Sequence, residues 1–98
     1  KYKTKKYYEK LGYTVTLSEF IFRAGGFFVK KDIFGADVIA MNEREIIFAN
    51  SKFSGNKESG YQAKSKGKKE FNDYPFPPFV KKQLVMWEKG KKPVIVDV

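Results

Sequence analysis

The sequence predicts a single α/β domain, spanning residues 1–98, in which helices pack against a mixed β-sheet. With 98 residues the chain is long enough for one domain with one modest core. Its 42% hydrophobic and 17% aromatic content is enough to bury such a core. Apolar segments follow one another in the order helix, strands, helix, strand. The chain starts at Lys1 rather than methionine, which is consistent with a piece of a longer protein.

The N-terminal segment has helical spacing. Tyr7, Tyr8 and Leu11 fall on one side of a helix predicted over Lys3 to Leu11. Gly12 is placed where a helix ends.

The following segments read as strands. Residues 13–22 are rich in β-branched and aromatic types and predict one strand, and residues 24–26 predict a turn. Residues 27–31 then predict a paired strand or an extension of the same ribbon. Residues 37–41 and 45–50 predict two further strands joined by the polar turn 42–44, hence an antiparallel hairpin.

The C-terminal half combines a polar stretch with two apolar segments. Residues 51–74 are basic and contain glycine, which predicts a functional loop or mobile segment. Residues 77–87 predict a helix that begins at two prolines and ends before Gly90. Its apolar positions are Phe79, Val80, Leu84 and Trp87. Residues 94–96 predict a short buried strand.

Composition restricts the chemistry. The chain has no cysteine and no histidine, which excludes thiolate zinc sites, cysteine nucleophiles and histidine bases. Carboxylates, lysines and oxygen-ligated cations such as Mg²⁺ remain. No apolar run approaches the length of a membrane span and no signal peptide is visible, so we expect a soluble, cytoplasmic protein that does not bind membranes.

The net charge of +9 is concentrated in three lysine clusters. They lie in residues 1–10, 52–69 and 81–92. Such clusters predict a polyanionic partner, because lysines that neutralise phosphates release counterions. The predicted nucleic-acid-binding residues are Lys57, Lys64, Lys66, Lys68 and Lys69. The alternative is a solvated lysine-rich surface that serves solubility or heat stability.

The residues suited to catalysis lie across the central hairpin. Asp37 opens one strand, and Asn50 and Lys52 close the next with their side chains on the same face. Antiparallel pairing would bring the three together at one sheet edge. A carboxylate, an amide oxygen and an ammonium group there could hold Mg²⁺ and stabilise an attacked phosphate.

At these positions the chain resembles the PD-(D/E)XK nuclease superfamily, most closely its archaeal Holliday-junction-resolvase and related phage nuclease branches. The resemblance covers most of the chain and is marked in the lead-in segment 31–40. Ala36-Asp37 stands for the proline–aspartate pair and Asn50-Ser51-Lys52 for the acidic-X-lysine element, while Glu9 stands for the helical glutamate. Alanine for proline and Asn50 for an acidic residue are departures, and the second removes a charge from the metal site.

The resemblance implies a restriction-endonuclease-like αβββαβ core and a Mg²⁺- or Mn²⁺-dependent endonuclease that hydrolyses DNA phosphodiester bonds. It implies Asp37, the Asn50 carbonyl and Glu9 as metal ligands, and Lys52 as the group that orients water or stabilises the phosphate. Asp32 and Glu19 are substitute ligands. Branched DNA is a candidate substrate, and resolving a junction symmetrically would require two active sites and so a homodimer.

Two alternatives stay open. The chain could keep the nuclease fold as a nucleic-acid-binding module that lost cleavage through Asn50. It could also be a small ribosome-associated or structural protein whose lysines bind RNA without any active site. Each candidate also has a structural explanation: a strand or turn cap for Asp37, a turn former for Asn50, a basic-loop residue for Lys52 and a local ion pair for Glu9.

Overall fold

The computed structural model describes the backbone of residues 1–53 and 57–98 and the side chains of residues 1–53 and 65–98. The elements follow in the order α1 (Tyr2–Lys10), β1 (Thr14–Leu17), β2 (Phe20–Ala24), β3 (Phe27–Lys31), β4 (Val38–Met41), β5 (Ile46–Phe53), α2 (Lys57–Asn72), β6 (Lys81–Trp87) and β7 (Val94–Asp97).

Five strands form the main sheet in the order β1-β4-β5-β6-β7. The β5–β6 pair is parallel and the other neighbours are antiparallel, so the sheet is mixed. Tyr8 of α1 packs on one face of this sheet with Val38 and Val85, and Phe71 of α2 packs on the other face with Leu84. The predicted α/β class, with a mixed sheet flanked by helices, is confirmed.

The first helix is confirmed with its bounds shifted by one residue. It ends at Lys10, and Gly12 follows with a φ of 96°, a left-handed conformation that favours glycine. The prediction of one strand over residues 13–22 is wrong. Ser18 diverts the chain, because its amide donates to the Asp37 carbonyl (2.9 Å) and its hydroxyl to the Ala36 carbonyl (2.7 Å). These bonds separate β1 from β2, which belong to different sheets.

The two hairpins are confirmed. In β2–β3, Gly25 and Gly26 have φ values of 57° and 88°, the signs that a two-residue hairpin turn requires. In β4–β5 the turn is closed by Asn42, whose side-chain oxygen accepts from the amides of Arg44 and Glu45, both at 2.9 Å. This hairpin pairs Val38 with Ala49.

The predicted loop over residues 51–74 is wrong. Strand β5 continues to Phe53, and α2 occupies residues 57–72. Gly67 is buried against Leu84, where its lack of a side chain lets the helix approach the sheet closely. Phe71 is fully buried. Within residues 65–72, Gly67 and Phe71 are the buried residues of a helix whose own sequence is largely polar.

The predicted helix over residues 77–87 is also wrong, because residues 81–87 form β6 in the sheet interior. Leu84 and Val85 are both fully buried. A strand covered on both faces does not alternate apolar and polar residues, so its pattern can match helical spacing. The last strand is confirmed as β7, but its predicted burial is wrong, because β7 lies at the edge of the sheet and Val94 is 60% exposed.

Within the described ranges, no helix has both the length and the apolar character needed to cross a membrane.

Candidate functional site

Asp37 lies immediately before β4 with only 8% of its surface exposed. Its Oδ1 accepts a 3.0 Å hydrogen bond from the Ser51 amide and lies 3.2 Å from the Ser51 hydroxyl. Burial raises the pKa of the Asp37 carboxyl, repulsion by Asp32 adds to the increase, and the bonds from Ser51 oppose it. Asp37 is therefore a carboxylate whose charge the protein stabilises only in part.

Asp37 opens into a pocket of about 370 Å³ between the start of α1, the β2–β3 hairpin and the end of β5. Four lysines and two carboxylates line it: Lys1, Lys3, Lys30, Lys52, Glu19 and Asp37. Lys1 and Glu19 form an ion pair at 2.8 Å, which raises the pKa of the lysine and lowers that of the glutamate. The pocket has a cationic wall beside one buried carboxylate, which suits a phosphate group and a divalent cation together.

A hydroxyl network supports Asp37 from the α1 side. The Ser51 hydroxyl bonds to the hydroxyl of Thr4 (2.7 Å), which also accepts from Trp87 Nε1 (2.8 Å). Thr4 is fully buried, and Ser51 and Trp87 both line the pocket. The network ties α1, β5 and β6 to the carboxylate. Sequence reasoning missed Thr4 and Ser51, because a threonine in a lysine-rich helix carries no motif.

Asn50 points to the opposite face of the sheet, toward α2. The register does not set it opposite Asp37 as expected, because the Asp37 amide donates to the carbonyl of Ala49 (3.0 Å), which already pairs with Val38. Its amide nitrogen donates to the Gly35 carbonyl (2.6 Å) and to Glu70 Oε2 (2.8 Å). Both amide protons are thereby used, so Oδ1 is the atom of Asn50 that can ligate a metal.

The turn before Asp37 holds Asn50 and α2 in place. Phe34 and Gly35 have φ values of 50° and 80°, and a Cβ at position 35 would lie 3.4 Å from the Glu70 backbone. The positive φ favours glycine there, whereas an added Cβ would make only ordinary contact with α2.

Lys52 connects the pocket to Glu70. Its Nζ lies 3.5 Å from both Glu70 carboxylate oxygens and the side chain also lines the Asp37 pocket. Asn50 and Lys52 thus share a face, as predicted, and Glu70 is the acidic residue that joins them. Glu70 was missed because its segment was predicted to be a loop.

Glu9 is not brought to this site. It is exposed in the last turn of α1, five residues and about 7.5 Å along the helix axis from Thr4. The first turn of α1 contacts the site and the last turn does not. The two substitute acids are nearer, since Glu19 lines the pocket and Asp32 raises the pKa of Asp37 by repulsion.

Residues 1–53 and 65–98 contain no group of three or more acidic side chains placed to hold a metal ion. Mg²⁺ in proteins often keeps several waters and takes only one or two carboxylates plus substrate phosphate oxygens. Asp37, with Glu19 in the same pocket and four lysines for a phosphate, meets that smaller requirement.

The predicted nucleic-acid-binding lysines fall on α2. Lys66 is exposed one helical turn before Glu70, which places it on the same side of α2 as the site. Lys69 is also exposed and Lys68 is half-buried. Lys57 and Lys64 lie outside the residues whose side chains the structure describes.

A comparison of the chain with protein-family models, curated protein sequences and solved structures gave no significant match in any of the three.

Proposed function

We propose that this chain is a metal-dependent DNA endonuclease whose active site is the Asp37 pocket. The observation that carries the proposal is that the Asp37 carboxylate and the Lys52 ammonium group line one pocket of about 370 Å³ with three further lysines. Metal-assisted hydrolysis of a phosphodiester needs a charged-oxygen ligand for the cation and positive charge near the attacked phosphate. This pocket has both.

The order of the elements supports the proposal. The PD-(D/E)XK nucleases that the sequence resembles combine a helix, a three-strand meander, a helix and a further strand. Here α1 is followed by β1, β4 and β5 as antiparallel neighbours, and α2 then connects to β6, parallel to β5. The β2–β3 hairpin is an insertion between the first two meander strands.

Each residue of the site has its own proposed role. Asp37 would hold Mg²⁺ or Mn²⁺ in the pocket, with Glu19 rather than Glu9 as the second acid that lines it. The Asn50 carbonyl would join them if its side chain turned from Glu70 toward Asp37. A cation held there would supply activation of the attacking water at neutral pH. Lys52 stabilises the negative charge that develops on the attacked phosphate, and Glu70 orients Lys52.

A second function, a DNA-binding module without cleavage, is favoured by one observation. Glu70, the carboxylate closest to Lys52, already accepts from Asn50 and pairs with Lys52. A carboxylate that is paired in this way is a weaker ligand for a cation.

The test is cleavage of labelled single-stranded, duplex and four-way-junction DNA with Mg²⁺ or Mn²⁺. The variants are Asp37→Asn, which keeps the acceptor for Ser51, and Lys52→Ala. Glu43→Ala and Arg44→Ala, exposed and outside the pocket, are the matched controls.

Loss of cutting in both pocket variants, with DNA binding and control activity retained, supports the nuclease. Undiminished cutting by both pocket variants contradicts it. Salt-sensitive binding by the wild type without cutting under either metal supports the binding module.

A further inference from the structure

The β2–β3 hairpin projects from the domain as a separate two-stranded sheet in which every residue of both strands is exposed. Phe27 and Phe28, at its tip, are 75% and 79% exposed. Exposed apolar groups in this number are typical of a surface that contacts another molecule.

The hairpin has two different faces. Directly opposed residues of an antiparallel pair share a face, and successive residues alternate. The first face is apolar at most positions and carries Phe20, Phe22, Ala24, Phe27, Val29 and Lys31. The second face carries Ile21 opposite Lys30 and Arg23 opposite Phe28.

The second face continues from the active-site pocket. Lys30 lines that pocket with Asp37 and Lys52. Arg23 and Phe28 lie two residues farther along the same face, toward the tip. A strand that occupies the pocket and leaves it along the hairpin would pass Lys30 first and Arg23 with Phe28 next.

The charge of the hairpin is complementary to a nucleic-acid backbone. Residues 20–31 contain Arg23, Lys30 and Lys31 and no acidic residue. The phenyl ring of Phe28 has no donor or acceptor with which to read a base edge in a groove, but its exposed flat face suits stacking on a base that has left the duplex.

We propose that the face formed by Arg23, Phe28 and Lys30 binds an unpaired DNA strand that leads into the Asp37 pocket. Phe28 stacks on a base, and Arg23 and Lys30 contact the flanking phosphates. The proposal rests on the proposed function, because it takes the pocket to be the place where the strand enters, and it makes single-stranded or splayed DNA the preferred substrate.

The experiment measures the affinity of fluorescein-labelled 20-nucleotide DNA, single-stranded and duplex, by anisotropy in EDTA. The informative variant is Phe28→Ala, and the matched control is Phe27→Ala, nearly equally exposed on the opposite face. Phe28→Ala should weaken single-strand binding by about tenfold, since loss of one stacked base costs roughly 5- to 150-fold, and duplex binding by less than about twofold. Phe27→Ala should change either by less than about twofold. For the single strand, Arg23→Ala should reduce the slope of log affinity against log salt concentration by the amount that corresponds to about one phosphate contact.

Equal losses in Phe27→Ala and Phe28→Ala, or no loss in either, would overturn the proposal. A wild-type dimer in sedimentation that Phe27→Ala dissociates, with unchanged DNA affinity in Phe28→Ala, would instead make the hairpin an interface between two copies of the chain.

The same proteins separate this proposal from the nuclease. Binding that depends on Phe28 without metal-dependent cutting contradicts the nuclease and supports the hairpin. If Asp37→Asn abolishes cutting and Phe28→Ala binds DNA normally, the nuclease is supported and the hairpin proposal is contradicted. A wild type that binds no DNA contradicts both.

Discussion

Trp87 Nε1 donates a 2.8 Å hydrogen bond to the hydroxyl of Thr4, and through Ser51 this bond joins the end of β6 to Asp37. The two residues are 83 positions apart and neither belongs to a recognisable motif. The bond holds the first turn of α1 against the sheet at the place where Asp37 needs support.

Thr4→Val keeps the shape of the side chain and removes both bonds. The half-buried indole N–H and the Ser51 hydroxyl then lose a shared partner, so the variant should lose about 1–3 kcal/mol of unfolding free energy. Urea unfolding can be followed by the fluorescence of Trp87, the chain's single tryptophan. Thr16→Val, exposed on β1, is the control and should stay within about 0.5 kcal/mol of wild type. Equal stability of Thr4→Val and Thr16→Val would contradict the network.

Gly67→Ala tests the packing of α2 on β6. An added Cβ would lie 2.6 Å from a methyl of Leu84, which is fully buried and cannot move aside freely. Overpacking should cost about 1–3 kcal/mol and outweigh the gain of about 1 kcal/mol in helix propensity. The thermal unfolding midpoint should therefore fall, whereas Ser65→Ala, exposed on the same helix, should leave it unchanged or raise it. A higher unfolding midpoint in both variants would contradict the packing of Gly67 against Leu84.

Glu45→Gln tests the Lys81–Glu45 ion pair, and with it the register of β6, through the pH dependence of stability. Lys81 pairs with Glu45 at 2.7 Å and Tyr13 donates to the same carboxylate, and both bonds lower the pKa of Glu45 below 4.5. The ionised group therefore stabilises the fold above the ordinary pKa, and that stabilisation is lost as the pH falls through the lowered value.

The variant should accordingly be less stable than wild type at pH 7, and the difference should shrink as the pH falls below about 4. Unfolding free energies between pH 3 and 8 measure this. Glu43→Gln, exposed in the adjacent turn, should show no such trend. A difference in unfolding free energy that does not change with pH would contradict the Lys81–Glu45 ion pair.

Asn50→Asp tests the metal site. The new carboxylate would face Glu70, whose Oε2 lies 2.8 Å from the amide nitrogen that it replaces. Repulsion and the loss of two donated bonds should lower the unfolding midpoint in EDTA. Under the proposed function, Mg²⁺ should then raise the midpoint of this variant more than that of wild type, because a cation that binds only the folded state stabilises it. Asn42→Asp, the same change in the β4–β5 turn, is the control. An identical Mg²⁺ response in all three proteins would contradict a cation site at position 50.

Elements with their own period or turn residues could be predicted from the sequence. The α1 helix has its tyrosines on one side and Gly12 at its end, and the β2–β3 hairpin has Gly25-Gly26. The tight β4–β5 turn set the register that pairs Val38 with Ala49 and brings the start of β4 beside the end of β5. Local backbone preferences decide these features, because the residues that specify them are neighbours in the chain.

The C-terminal half could not be predicted in the same way. The α2 helix is polar along most of its length and is held by Gly67 and Phe71, whose contacts come from β6 and from the segment before β4. The β6 strand is buried on both faces, so Leu84 and Val85 carry no alternation that would distinguish a strand from a helix.

The candidate site also has a part that follows from the sequence and a part that depends on tertiary packing. The sequence by itself determined that Asp37, Asn50 and Lys52 lie at the same end of one hairpin, because register follows from a tight turn. Only the tertiary structure decided that Glu70 joins Asn50 and Lys52, that Thr4 and Ser51 support Asp37, and that Glu9 lies elsewhere. Those contacts depend on how the two helices pack on opposite faces of the sheet, and packing is set by the volumes of residues far apart in the chain.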